Sequence, residues 1–407
     1  MSRKLLVRTS IIPVASVILI GMLAAPDCAY PAGFKVLHAF QGGSDGAQPG
    51  VSRRDRSGAL YGVTGDGGGT GCGGTGCGTV FKLTGTTETI LYRFRGGKTG
   101  YFPDGNVIMD KRGNLYGTTY YGGNKGCNGN GCGTVYRLAA DGTETVLHVF
   151  VNGRDGALPL ASLVRVGSDL YGTTTEGGVK NCGPYNCGTV FKIDKNGTET
   201  VAHRFKGGAD GTYPASNLIA DSAGNLYGTT VLGGSNGCSN SGCGTVFKIA
   251  PDGTETVLHA FVGGTDGSGP TSSLARDASG NLYGTTAVGG GSSCMGYGCG
   301  TVFKVSAQGK EQVLYAFQGT SDGNWPWGNL IIDATGNLYG IAELGGTGSG
   351  VVFQLDTRGS ENVLYAFTGG SDGAQPSGLI ADRKGKLFGA TLYGGSGGQG
   401  VVFDLPE

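Results

Sequence analysis

The sequence predicts an all-β, seven-bladed β-propeller with four antiparallel strands per blade and an N-terminal strand that completes the last blade. Three observations predict it. First, three motifs each recur seven times. Leu-Tyr-Gly-Thr-Thr and its variants place aromatics at Tyr61, Tyr116, Tyr171, Tyr227, Tyr283, Tyr339 and Phe388, at intervals of 55, 55, 56, 56, 56 and 49 residues. Gly-(Thr/Val)-Val-(Phe/Tyr) ends at Phe81, Tyr136, Phe191, Phe247, Phe303, Phe353 and Phe403, and a Val-Leu-His-x-Phe type motif ends at Phe40, Phe94, Phe150, Phe205, Phe261, Phe317 and Phe367. Second, each unit holds four short strand candidates, the signature of a propeller blade; a β-helix coil is much shorter. Third, the two ends are complementary. A lone fourth-type strand (34–40) opens the repeat region and a third-type strand (401–405) closes it, so the first completes the last blade and removes an exposed edge.

The fourth unit shows each element in order. Residues 217–220 are apolar and form strand a. Asp221-Ser222-Ala223-Gly224-Asn225 is a turn, and 226–230 is strand b. A long Gly/Ser/Cys loop leads to strand c, 245–249. Pro251-Asp252-Gly253 turns the chain into strand d, 255–261, whose β-branched and aromatic residues suit a pleated surface. The a–b and c–d turns are short and share one face. The d–a and b–c connections are long and share the other, which is where a ligand site near the axis is expected. One such sheet cannot bury both faces alone, whereas radial stacking does so.

Composition narrows the class. The chain has 407 residues and 85 glycines, but the glycines recur at fixed places between apolar runs, which excludes a low-complexity polymer. Lys+Arg and Asp+Glu are both 30, with no basic stripe, so nucleic acid is not an expected partner. Arg3, Lys4 and Arg8 precede an apolar run over 11–25 and small residues at Ala24, Ala25 and Ala29. We read 1–29 as an export signal, with no membrane anchor after cleavage and a single domain over 34–407. A secreted or periplasmic monomer is expected. Ten of eleven cysteines form five equally spaced pairs: Cys72/Cys77, Cys127/Cys132, Cys182/Cys187, Cys238/Cys243 and Cys294/Cys299. Each repeat has both or neither, as local disulfides require. Zinc would need four converging ligands, and a redox dithiol would not occur five times. Export to an oxidising compartment agrees.

The motifs Gly224-Asn225-Leu226-Tyr227-Gly228-Thr229-Thr230 and Gly244-Thr245-Val246-Phe247, with their counterparts, closely resemble the GloVer tandem repeat of secreted bacterial proteins. The resemblance covers Phe34 to the C-terminus and implies the repeat fold and export; it brings no reaction or catalytic residue. Members often carry a cell-surface anchor, which this chain is not expected to have. In strand order only, the chain is similar to NHL-type propellers and to calcium-dependent lactonase propellers, an analogy of fold that does not establish function.

Residues that recur in every blade are explained by the blade. His38, His148, His203 and His259 share one position in strand d, where other copies have Tyr92, Tyr315 and Tyr365, so we assign them to packing. They are all the histidines, which argues against a Ser-His-Asp or Cys-His site. The d–a loops carry Asp45, Asp155, Asp210, Asp266, Asp322 and Asp372 before glycine; a turn in which Asp holds nearby amides is favoured over a calcium loop.

Function should break the symmetry. Asn106, Asn217 and Asn329 begin strand a in alternate blades, with Asp104 nearby; their oxygens could hold one axial Ca2+ ion. Asp66, Glu176 and Glu343 are carboxylates at the ends of strands b, each a candidate general base. Trp325, Trp327, Tyr101 and Tyr213, with Phe102, offer aromatic surface for substrate. Two functions are expected from this set. One is a secreted hydrolase in which calcium polarises the carbonyl of a lactone or similar ester. The other is a non-catalytic module presenting its long loops to a glycan or protein.

Overall fold

The computed structural model describes residues 33–180, 182 and 186–406. The export signal read at 1–29 lies outside these residues. Seven antiparallel sheets form the blades: 47–93, 108–149, 164–204, 219–260, 268–316, 324–366, and 374–405 closed by 35–39. Blade 4 is representative, with strands Ile219–Ala220, Leu226–Thr230, Thr245–Ile249 and Glu255–Ala260. In blade 5, strand a is broken into Ser268–Pro270 and Ala275–Arg276. The ring closes as expected: Lys35–Ala39 pairs antiparallel with Val401–Leu405, His38 standing opposite Val402. No helix among the described residues is long and apolar enough to cross a membrane.

The recurring motifs interlock. Gly228 of strand b faces Phe247 of strand c, and a Cβ on Gly228 would lie 2.7 Å from the Phe247 ring. The glycine exists so that the ring can lie flat across the sheet. Phe247 is fully buried and meets Phe205 of the preceding blade edge to face, at 5.1 Å between centroids. Such ring pairs repeat around the core and hold blade to blade. The tyrosine beside that glycine has a different task. Tyr227 donates from its hydroxyl to Asp221 at 3.0 Å, while Asp221 also accepts from the Ala223 and Asn225 amides. That one carboxylate therefore fixes the whole a–b turn, and these hydrogen bonds hold its pKa below the ordinary value despite the opposing effect of burial.

All five cysteine pairs are disulfides, with Cα–Cα distances of 5.1 to 5.4 Å. The second cysteine of each pair is buried and takes part in the joint between blades. The Cys243 carbonyl accepts the Gly269 amide of the next blade at 2.9 Å, and Cys77, Cys132, Cys187 and Cys299 do the same for Phe102, Leu158, Tyr213 and Trp325. Ser349 and Gln399 supply that carbonyl in the two blades without cysteine.

Candidate functional site

Strands a line the axis: those of blades 6 and 7, and of 7 and 1, pack on each other. Within or just before strand a, each blade has a proline: Pro49, Pro103, Pro159, Pro214, Pro270, Pro326 and Pro376. The proline sits against the glycine that precedes strand c of the neighbouring blade. A Cβ on Gly244 would come within 2.4 Å of Pro270 Cδ, and the other six glycines would meet their prolines at 2.5 to 2.6 Å. The residue before each proline is left-handed. Gln48, Phe102, Leu158, Tyr213, Gly269, Trp325 and Gln375 have φ between 55° and 63°. Six of the seven are not glycine, and a residue before proline is already restricted, so this is stored backbone strain. Its product is a ring of seven positions at the mouth that carry glutamine twice, glycine once and four other side chains, on one unvarying backbone.

One arc of that ring is chemically distinct. Glu176, at the end of strand b in blade 3, lies among Tyr120 and Tyr121 of blade 2 and Tyr213 of blade 4. Burial pushes the Glu176 carboxyl up to about 7. Its charge in turn adds to the burial that raises the phenols of Tyr120, Tyr121 and Tyr213. These phenols therefore stay protonated as hydrogen-bond donors. The Tyr120 and Tyr213 hydroxyls neighbour one another. Tyr101 stacks on Tyr121 with centroids 5.2 Å apart, and Phe102 meets Tyr120 edge to face at 6.4 Å. Thr175 is fixed by donating its hydroxyl to the Leu158 carbonyl.

The structure thus groups Glu176 with Tyr213, Tyr120 and Tyr121, and Tyr101 joins them through its stack on Tyr121. The other carboxylates stand elsewhere on the ring. Asp66 is in blade 1, its pKa raised by burial against an opposing hydrogen bond from Thr75. Glu343 is in strand b of blade 6 and partly buried. Trp325 and Trp327 lie in strand a of blade 6, the latter 37% exposed.

The axial amides play unequal parts. Asn217 Oδ1 accepts the Ser162 amide of the preceding blade at 2.6 Å. Asn329 brackets Leu379 of the next blade, donating to its carbonyl at 2.7 Å and accepting its amide at 3.4 Å. Asn106 Oδ1 differs, being buried with no hydrogen-bond partner among the described residues. Asp104 is exposed, yet desolvation by the surrounding protein pushes its carboxyl up to about 6.

The strand-d histidines pack as expected: His203 meets Phe205 edge to face at 4.9 Å. They also bridge to the d–a aspartates, as in His259 Nε2 to Asp266 at 3.1 Å, while Tyr315 and Tyr365 donate to Asp322 and Asp372 in the same way. The aspartates hold loop amides, as the turn reading required. A glutamate from the next blade completes each of three His/Asp/Glu groups, His38-Asp45-Glu88, His203-Asp210-Glu255 and His259-Asp266-Glu311, with ligand atoms within 4.8 Å. Tyrosine substitutes for histidine in other copies, so a hydrogen-bond donor is what the position needs. These groups lie at the strand-d edge, away from the mouth.

A closed ring of near-identical blades, with one unlike arc at its mouth, defines a repeat-built propeller whose scaffold and site are separable. The Gloeobacter/Verrucomicrobia repeat matches residues 28–240, 75–296 and 238–407, and the chain belongs to that family. No curated protein sequence matches it. Among solved structures, a virginiamycin B lyase from Staphylococcus aureus is similar at TM-score 0.59 and 13% identity, covering 92% of this chain and 99% of that one. The extracellular domain of the putative one-component system BT4673 from B. thetaiotaomicron gives TM-score 0.57 and 10% identity, over 91% of this chain and 40% of that one. A gluconolactonase from Xanthomonas campestris is similar more loosely, at TM-score 0.44 and 14% identity over 93% of this chain and 95% of that one. At these identities the likeness is one of fold.

Proposed function

We propose that this chain is an exported hydrolase of a lactone or similar small ester, working at the blade 2–4 arc of the mouth with Glu176 as general base. The observation that carries this reading is a half-buried carboxyl near pKa 7 ringed by protonated tyrosines. Near neutrality such a group can both take and return a proton. Glu176 takes a proton from water as the water oxygen bonds to the substrate carbonyl carbon. Tyr120 and Tyr213 donate hydrogen bonds to the carbonyl oxygen as it gains charge. The ester C–O bond then breaks, and the proton on Glu176 passes to the departing alkoxide. Tyr101 and Tyr121 offer a stacked wall for the substrate's apolar face. The five disulfides suit an oxidising compartment, in keeping with export.

A second reading retains calcium at the axis. Its support is the unpartnered Asn106 Oδ1 and the desolvated Asp104 carboxyl in the same segment. Asn217 and Asn329 already give their oxygens to backbone amides, leaving one lone pair each. Bound there, the ion would supply charge to a substrate oxygen. The test is a lactone and ester panel on purified protein, with and without chelator. Under the first reading turnover ignores chelator, and Glu176→Gln lowers it about 100-fold while removing the acidic limb of the pH profile near 7. Chelator-sensitive turnover lost in Asn106→Ala favours the second. No turnover anywhere, with glycans binding the same arc, ends both and leaves a binding module.

A further inference from the structure

The seam between blades 1 and 2 departs from its six counterparts. At each of those six, a d–a aspartate accepts the amide of the residue four positions earlier: Gln41, Val151, Lys206, Val262, Gln318 and Thr368. At the blade 1–2 seam Thr99 stands in the aspartate's place. The backbone keeps its shape, with a one-turn helix over Gly97–Thr99 matching Gly208–Asp210 and Gly264–Asp266. Thr99 turns its hydroxyl to the Gly96 carbonyl at 3.1 Å instead. The equivalent amide, that of Arg95, has no acceptor among the described residues.

The space is open and positively charged. A surface cavity of about 550 Å³ lies here, lined by Ile90, Leu91, Tyr92, Arg93, Arg95, Thr99, Gly142 and Glu144. A second, of about 460 Å³, shares Arg95 and extends to Tyr101. Arg95 and Lys98 are both exposed at this seam. The Arg93 guanidinium turns the other way, to the Ser44 carbonyl of the blade 7–1 seam at 3.2 Å. The facing acid is Glu144, partly buried against Tyr92.

We propose that this seam binds a carboxylate ligand of sugar-acid size, whose carboxylate takes the position that the chain's own aspartate holds at the other six seams. The Arg95 amide and guanidinium would grip the carboxylate, a charge-assisted pairing. Tyr92, Thr99 and Glu144 offer polar groups to hydroxyls, and Leu91 offers an apolar contact to the ring. The proposal stands apart from the mouth reading, since neither Glu176 nor its tyrosine neighbours line the first cavity.

Calorimetric titration of the full chain with glucuronate, glucose, acetate and sulfate tests it. Glucuronate should bind, glucose should not, and acetate should bind more weakly than glucuronate. Thr99→Asp, which restores the repeat's own carboxylate, should fold at least as well and weaken glucuronate at least tenfold. Arg95→Ala should weaken it similarly. Equal binding of glucose and glucuronate, sulfate outcompeting glucuronate, no glucuronate binding, or undiminished binding by folded Thr99→Asp would each overturn the proposal.

Discussion

The two sides of each blade joint obey opposite rules. Below the mouth, proline on glycine and one amide-to-carbonyl hydrogen bond repeat in all seven copies. One residue earlier, on the same backbone, seven copies carry glutamine, phenylalanine, leucine, tyrosine, glycine, tryptophan and glutamine. The joint is constant because it bears the ring's cohesion. The residue above it is free to differ because its backbone is already fixed by the joint. Side chains for chemistry can therefore change there without reopening the fold.

The widest test of that contrast is Gly244→Ala. The new methyl would meet Pro270 and the Thr230 carbonyl at 2.4 Å, at a φ of +99°. We expect a loss of about 3 kcal/mol or more, measured by chemical denaturation, whereas Tyr213→Leu above a joint should leave stability within about 1 kcal/mol. A smaller effect should follow from opening one clasp. Replacing Cys238 and Cys243 together by serine removes a short-loop bridge worth about 2 kcal/mol on the chain-entropy model, and denaturation should show the ring still folded.

The seams add a dependence on pH. Burial first, then the neighbouring aspartates, push Glu88 and Glu255 up to about 8, and burial and Asp322 bring Glu361 to about 7. Their unfolded value is near 4.5, so this contribution is complete below 4.5 and disappears as pH rises through 7 to 8. The turn aspartates Asp110, Asp221, Asp277 and Asp333 act oppositely, their stabilisation being lost only as pH falls below about 3.8. Melting temperature should thus be higher at pH 5 than at pH 9, and Glu255→Gln should flatten the difference. Smallest of all should be His259→Tyr, within about 1 kcal/mol, because Tyr315 and Tyr365 already make the bond that His259 makes to Asp266.

Much of this was legible in the sequence, because repetition exposes structure. Leu-Tyr-Gly and Gly-Thr-Val-Phe recur because a flat ring needs a bare glycine opposite it, and paired cysteines recur because a short loop needs both. Part of the mouth was legible too, since Glu176, Tyr101 and Tyr213 interrupt the pattern. Tyr120 and Tyr121 escaped notice because the partners of Glu176 come from a neighbouring blade, 55 residues upstream, and only radial packing reveals them. The left-handed pre-proline ring was signalled by seven prolines, yet φ itself is a property of the joint. The amides of Asn217 and Asn329 read as candidate ligands because sequence cannot show which backbone group stands beside them.

Closure by Lys35–Ala39 on Val401–Leu405 carries a consequence for biosynthesis. As the chain is made, Lys35–Ala39 has no sheet to join until Val401–Leu405 follows it. For the whole interval of synthesis its hydrogen-bonding edge is a vacancy seeking a partner, and a chain truncated before Val401 would keep it so. The last blade thus forms only once both of its distant segments exist.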